Sequence, residues 1–199
     1  MDHRGFISRG EQWGMSIKAL YLMILLPAIM LSSMSHADQP LQLVDTVDLD
    51  RYQGRWYEIA RLPNRFQRQC ADSVSAEYKL REDGRIDVTN RCRQADGQWR
   101  MSSGIARSAS GDERSAALEV RFAPAWLSFL PMVWGEYRII ALGEQSEQYD
   151  YSVVGTENRR YLWFLARDPA PSEQVRQTML DAARDQGFDI DAMTWTEHE

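Results

Sequence analysis

The chain has 199 residues, with 23 basic and 29 acidic side chains and a formal net charge of −6, and it carries seven tryptophans, eight tyrosines, three histidines and two cysteines. An acidic chain without a basic run is a poor partner for nucleic acid, because phosphate contacts need clustered Lys and Arg. For the same reason it has little electrostatic attraction to anionic lipid.

Residues 1–37 read as a secretory signal peptide. Ala19 to Leu31 is an apolar run interrupted by Pro27, shorter than the ~20 residues a membrane-spanning helix needs. Lys18 precedes it, and Ser35-His36-Ala37 follows as a small-x-small cleavage pattern. Met15 makes the more ordinary start, leaving the short n-region Met15-Ser16-Ile17-Lys18. A retained anchor is the alternative. No Cys lies near the cleavage point, which argues for a soluble periplasmic protein over an acylated lipoprotein at the outer membrane. Residues 38–199 then form one domain, long enough for a real core.

Strand candidates follow at short intervals: 55–62, 74–80, 86–90, 98–106, 117–122, 136–142, 149–154 and 161–166. The first opens on Gly54-Arg55-Trp56, where Gly permits a tight bend and Trp supplies a large apolar plug beside it. The Asp83-Gly84 pair between the second and third runs predicts a hairpin with a type I′ turn. Cys70 and Cys92 flank that hairpin, so export favours a disulfide between them; two free thiols are the alternative. A helix opens at Pro171-Ser172 with Ser172 as N-cap, presents Val175, Met179, Leu180 and Ala183 on one face, and stops at Gly187. A last short strand is expected within 192–196. Eight short strands argue for an up-and-down barrel or a sandwich, and a single late helix suits a barrel whose outer wall it covers.

Catalysis has little to work with. After signal removal only His198 remains of the histidines and Lys79 of the two lysines, so no His-based triad or metal cluster can be assembled. A carboxylate pair is the one enzymatic route left open. The aromatic residues point to binding instead. Residues 122–135 contain two prolines, which forbid a regular strand, and are almost wholly apolar. A long apolar loop suits a lid, a partner surface or a membrane contact.

Three stretches carry a family resemblance: Gly54-Arg55-Trp56-Tyr57-Glu58-Ile59-Ala60-Arg61, Tyr78-Lys79-Leu80-Arg81-Glu82-Asp83-Gly84, and Tyr161-Leu162-Trp163-Phe164-Leu165-Ala166-Arg167. Together with the late helix they resemble the lipocalins, in particular the bacterial and apolipoprotein D-like members. The resemblance implies an all-β, eight-stranded antiparallel barrel with one C-terminal helix packed outside. It implies structural roles for Gly54, Trp56 and Arg167, with the Arg167 guanidinium over the Trp56 ring at the closed end. The middle lipocalin motif, Thr-Asp-Tyr, is matched only by Tyr149-Asp150-Tyr151.

Alternation from Trp56 places Glu58 and Ala60 on the inner wall, and alternation from Arg167 places Leu165, Trp163 and Tyr161 there. The sixth strand is expected to turn Tyr137, Ile139 and Ala141 inward, with Trp126 and Trp134 near the mouth. Glu58, Ala60, Trp126, Trp134, Tyr137, Ile139, Tyr161 and Trp163 are therefore the candidate ligand contacts, with Glu58, Tyr137 or Arg138 meeting a head group. No cofactor or metal is expected. The resemblance implies a fatty acid or lysophospholipid as the ligand, bound for membrane maintenance. The first alternative is a partner-binding or self-associating module, such as a homodimer, using the loop 123–134; the second is a carboxylate enzyme.

Overall fold

The computed structural model describes residues 39–144 and 147–199; the expected signal peptide lies outside them. A one-turn helix, α1 (Leu49–Tyr52), precedes eight strands: β1 (Gly54–Arg61), β2 (Asp72–Leu80), β3 (Ile86–Arg93), β4 (Trp99–Ser108), β5 (Ala117–Arg121), β6 (Gly135–Glu144), β7 (Tyr149–Gly155) and β8 (Leu162–Ala166). Helix α2 (Glu173–Asp185) and a two-residue β9 (Thr194–Trp195) complete the chain. Every neighbouring pair is antiparallel, and β1 pairs with both β8 and β2, which closes the barrel. Beyond Tyr57 the place of β2 beside β1 is taken by β9, which pairs at Ala60 and Arg61.

Alternation along the strands divides the apolar residues into two cores. The inner one gathers Trp56, Tyr78, Val88, Leu118, Ile139, Val154 and Leu165 inside the barrel. The outer one packs Ile59, Leu162, Phe164 and Val153 beneath Met179 and Ala183 of α2. Ser172 caps this helix by accepting a hydrogen bond from Val175 N at 3.3 Å. One helix thus covers the wall where β1, β7 and β8 would otherwise show apolar residues to water.

The structure corrects three local expectations. Of the turn pair, only Gly84 has a positive φ, +75°. The β2–β3 connection closes through Gly84 N to Arg81 O at 3.0 Å and Arg81 N to Arg85 O at 2.8 Å, which is not a type I′ turn, since that needs positive φ at both central residues. The register of β1 against β8 shifts between Glu58 and Ala60, so Ala60 joins the outer core instead of the inner wall. A similar shift in β6 against β7 lies between Ile139 and Ala141, and Ala141 likewise packs outward. Each bulge places two residues opposite one, and the two-residue period inverts beyond it. The one-turn helix α1 has no counterpart among the expected elements. It starts at Asp48, whose carboxylate accepts from Asp50 N and Arg51 N.

Candidate functional site: the barrel lumen

The lumen has a sealed floor. Trp56 is fully buried and its Nε1 donates to Tyr52 O at 2.8 Å. The Arg167 guanidinium lies 3.9 Å from the centre of the Trp56 ring. Its nitrogens donate to the carbonyls of Tyr149, Arg55, Arg51, Tyr52 and Gln53 at 2.7–3.2 Å. These bonds lock α1 and the start of β1 to the end of β8. Gly54 passes so close that a Cβ there would lie 3.3 Å from Arg167 Nη1, and its φ of +94° suits glycine alone.

Above the floor, hydroxyls meet in an otherwise apolar interior. Tyr52 Oη lies 2.7 Å from Tyr137 Oη and 3.0 Å from Ser152 Oγ, and Tyr78 Oη lies 3.0 Å from Tyr137 Oη. Burial pushes the Tyr52 hydroxyl up to about 12, and also raises Tyr78 and Tyr137. All three are neutral phenols at ordinary pH. Higher in the lumen, Val120, Tyr137 and Trp163 are only half-buried, whereas Tyr52, Tyr78 and Leu118 are buried. Solvent therefore reaches down to the level of Tyr137.

The opposite end carries the β1–β2, β3–β4, β5–β6 and β7–β8 connections and forms the mouth. The β1–β2 loop is tied to β3 by the Cys70–Cys92 disulfide, whose Cα atoms are 5.5 Å apart. Glu58 is 2 % exposed and fully engaged. It accepts from Arg61 and Thr196, each at 2.7 Å, and from Gln67. Gln67 in turn accepts from Trp163 Nε1 at 2.9 Å. Glu58 thus joins β1, the loop and the C-terminal tail, which leaves it no free oxygen for a head group. Tyr161 stacks on Trp163, with centroids 5.9 Å apart, and Phe66 of the loop lies 5.4 Å from Tyr161.

The β5–β6 segment is a rim and not a lid. Short 3-10 turns at Ala125–Leu127 and Pro131–Val133 shape it. Trp126 is 72 %, Phe129 74 % and Met132 86 % exposed. Trp134 folds back on the outer wall, where it stacks under Arg107 at 3.9 Å and donates to Ser128 O at 2.9 Å. Phe66, Trp99, Met101 and Phe122 add exposed apolar surface at the same end. Arg138 faces away from the lumen, beside Glu136 and the Leu118 carbonyl.

Of the expected contacts, the structure brings Tyr137, Ile139 and Trp163 together in the inner core. Tyr161 stands at the mouth, Trp126 and Trp134 lie on the rim, and Ala60 lies outside. Sequence reasoning passed over Tyr52, Tyr78 and Ser152. Tyr78 had a legible signal, since it alternates with Val74 and Ala76 along β2. A concavity lined by Tyr149, Asp150, Arg167, Pro171 and Val175 lies outside the barrel next to α2. Arg167 on its border is already bonded to backbone carbonyls. Among the described residues, no three His, Cys, Asp or Glu side chains gather as a metal ion would require.

A lipocalin-like domain model matches residues 47–198. The chain belongs to the lipocalin family. It is 38% identical over 156 residues to the outer membrane lipoprotein Blc of Escherichia coli K12, covering 78% of this chain and 81% of that protein. Apolipoprotein D of Macaca fascicularis is 33% identical over 160 residues, covering 78% and 79%. Among solved structures, insecticyanin of the tobacco hornworm aligns with a TM-score of 0.61 at 15% identity, covering 81% of this chain and 86% of that one; that similarity bears on the fold alone. Lipocalins are binding proteins for small hydrophobic molecules, and this lipocalin has an apolar inner core above a sealed floor.

Proposed function

We propose that this lipocalin is exported to the cell envelope, takes up a single-chain lipid, a fatty acid or a lysophospholipid, and exchanges it with a membrane through its rim. The observation that carries this reading is the crowding of exposed apolar side chains at one end. Phe66, Trp99, Met101, Phe122, Trp126, Phe129 and Met132 are 42–86 % exposed, and all belong to the mouth or its flanks. Scattered exposed apolar residues need no explanation, but a ring of them at one end of a barrel does.

Arginines accompany the ring although the chain as a whole is acidic. Arg65 lies over Phe66, Arg91 over Trp99 and Arg160 over Tyr161, while Arg100 reaches Gln69 and Arg121 the Pro124 carbonyl. None of these five has a carboxylate partner among the described residues. Aromatic rings with adjacent guanidinium groups suit the boundary between lipid head groups and acyl chains. The signal-like N-terminus and the relative named as an outer membrane lipoprotein support an envelope location.

Two measurements on the purified protein test the reading. Competition between a fluorescent fatty acid and unlabelled fatty acid or lysophospholipid should show one saturable site. Flotation with phospholipid vesicles should carry the protein upward. Failure of both lipids to compete, with concentration-dependent dimerisation in sedimentation, would replace it with self-association through the rim.

A further inference from the structure

The four hydroxyls of the lumen floor cannot all be satisfied by one another. Their contacts run in a line, from Tyr78 to Tyr137 to Tyr52 to Ser152. Each hydroxyl has one proton to donate and two lone pairs to accept with. Four protons serve three contacts, so one donor is left over whichever way the hydroxyls turn. No other protein group among the described residues accepts it.

The most accessible of the four hydroxyl-bearing residues is Tyr137. When Tyr137 accepts from both Tyr52 and Tyr78, and Ser152 donates to Tyr52, the Tyr137 proton is free. Ser152, Tyr52 and Tyr78 are 0 %, 1 % and 8 % exposed, whereas Tyr137 is only partly buried where it packs against the inner core. Water that reaches Tyr137 can accept this proton, and a ligand that displaces the water without bringing an acceptor of its own leaves the donor unpaired at a cost. The inner core it packs against includes Leu118, Ile139, Val154 and Leu165, whose side chains cannot accept.

The surroundings also select the kind of oxygen. The Arg167 guanidinium lies below Trp56 and is already bonded to backbone carbonyls. A carboxylate beside Tyr137 would therefore be desolvated without a counter-charge, which is far costlier than seating a neutral group. Burial that holds these phenols neutral acts against any other anion in the same place.

Given a lumen that holds an apolar chain, as proposed above, we propose that Tyr137 Oη is the seat for one neutral oxygen of that ligand: the carbonyl of a long-chain ketone or ester, or the carboxyl of a protonated fatty acid. The ligand then lies polar end down, with its chain rising to the mouth. A lysophospholipid, whose phosphate adjoins its ester, would have to sit the other way up with its head at the rim. The floor therefore favours acyl compounds with a small neutral end over lysophospholipids.

The test uses a methyl ketone of palmitoyl length, isotope-labelled at its carbonyl carbon, with the alkane of equal length, palmitate and palmitoyl-lysophosphatidylcholine as comparators. In the parent protein the bound carbonyl resonance should move downfield of its position in hydrocarbon solvent, as hydrogen bonding to a phenol requires. Tyr137→Phe keeps the ring and removes the donor. It should weaken ketone binding about fivefold, the size of one net hydrogen bond, leave alkane binding unchanged, and return the resonance upfield. Stronger palmitate binding at lower pH, lost in Tyr137→Phe, would assign the seat to the protonated acid. An unshifted carbonyl in the parent overturns the seat without recourse to any variant, and so does equal ketone affinity in the two proteins. Lysophospholipid binding that depends on Tyr137 as strongly as ketone binding overturns the orientation. A parent that binds none of the four ligands overturns the lipid-binding reading together with the seat.

Discussion

The two ends of this barrel follow opposite rules. At the closed end nearly every polar group has a partner: Arg167 serves five carbonyls, Trp56 Nε1 reaches Tyr52 O, and Asp48 N finds Tyr149 Oη at 3.0 Å. At the open end, large apolar side chains stand in water and arginines rest on aromatic faces. The closed end minimises its free energy within the folded chain. The open end leaves large apolar side chains uncovered. Stabilising contacts therefore concentrate at one end, and the surface proposed for recognition at the other.

The sharpest way to break that division is at Trp56. Replacing this fully buried residue by Ala should cost about 3–5 kcal/mol, because it opens a cavity and strips the Arg167 guanidinium of its ring. Urea unfolding measures this directly, and a loss below about 1 kcal/mol would show that the floor is not the keystone described here.

The disulfide is the exception that sharpens the comparison, since it stabilises from the mouth side. Cys70 and Cys92 are 22 residues apart, and replacing both by Ser should cost about 3 kcal/mol on the chain-entropy account. The loop held by Gln67 should loosen with it. Faster amide exchange confined to residues 62–71 is the expected signature.

Alkali probes the lumen floor. Tyr52 is raised from 10.0 to about 12 by burial, which outweighs its hydrogen bonds to Ser152 and Tyr137. The folded state thus holds its proton where the unfolded chain releases it. The contribution is fully present below pH 10.0 and is lost as pH rises through about 12, at up to about 1.4 kcal/mol per pH unit from this residue. Tyr78 and Tyr137 act in the same direction. Unfolding midpoints should fall across that window, less steeply in Tyr52→Phe; parallel slopes would count against the burial account.

The smallest change in stability is expected at the rim. Trp126, Phe129 and Met132, all at least 72 % exposed, can each become Ser at a cost within about 0.5 kcal/mol. Vesicle flotation should nevertheless drop sharply in the triple variant. Undiminished flotation would move the membrane contact elsewhere.

Much of the fold was legible because its signals are local. Val120 and Leu118 alternate with Glu119 and Arg121, Ser172 caps α2, and each strand lies within a few residues of its expected span. The lumen was less legible because side-chain facing accumulates along a strand, and one bulge reverses all that follows. Ala60 and Ala141 were misplaced for that reason. Glu58 had the expected alternation but other partners, since Thr196 comes from the far end of the chain and Gln67 from the loop that follows β1.

What the sequence by itself determined is the periodicity: eight short alternating strands, one amphipathic helix, a Gly-x-Trp at the start and an Arg at the end of the last barrel strand. Those patterns depend on backbone geometry over a few residues, and neighbours suffice to set them. Only the tertiary structure decided which apolar residues face the lumen, that four hydroxyls from α1, β2, β6 and β7 meet at one height, and that the apolar loop stands outward as a rim. Each of these depends on register between strands far apart in sequence. Register is a property of the closed barrel as a whole, because closure lets a single bulge in β1 or β6 change which side chains share the interior.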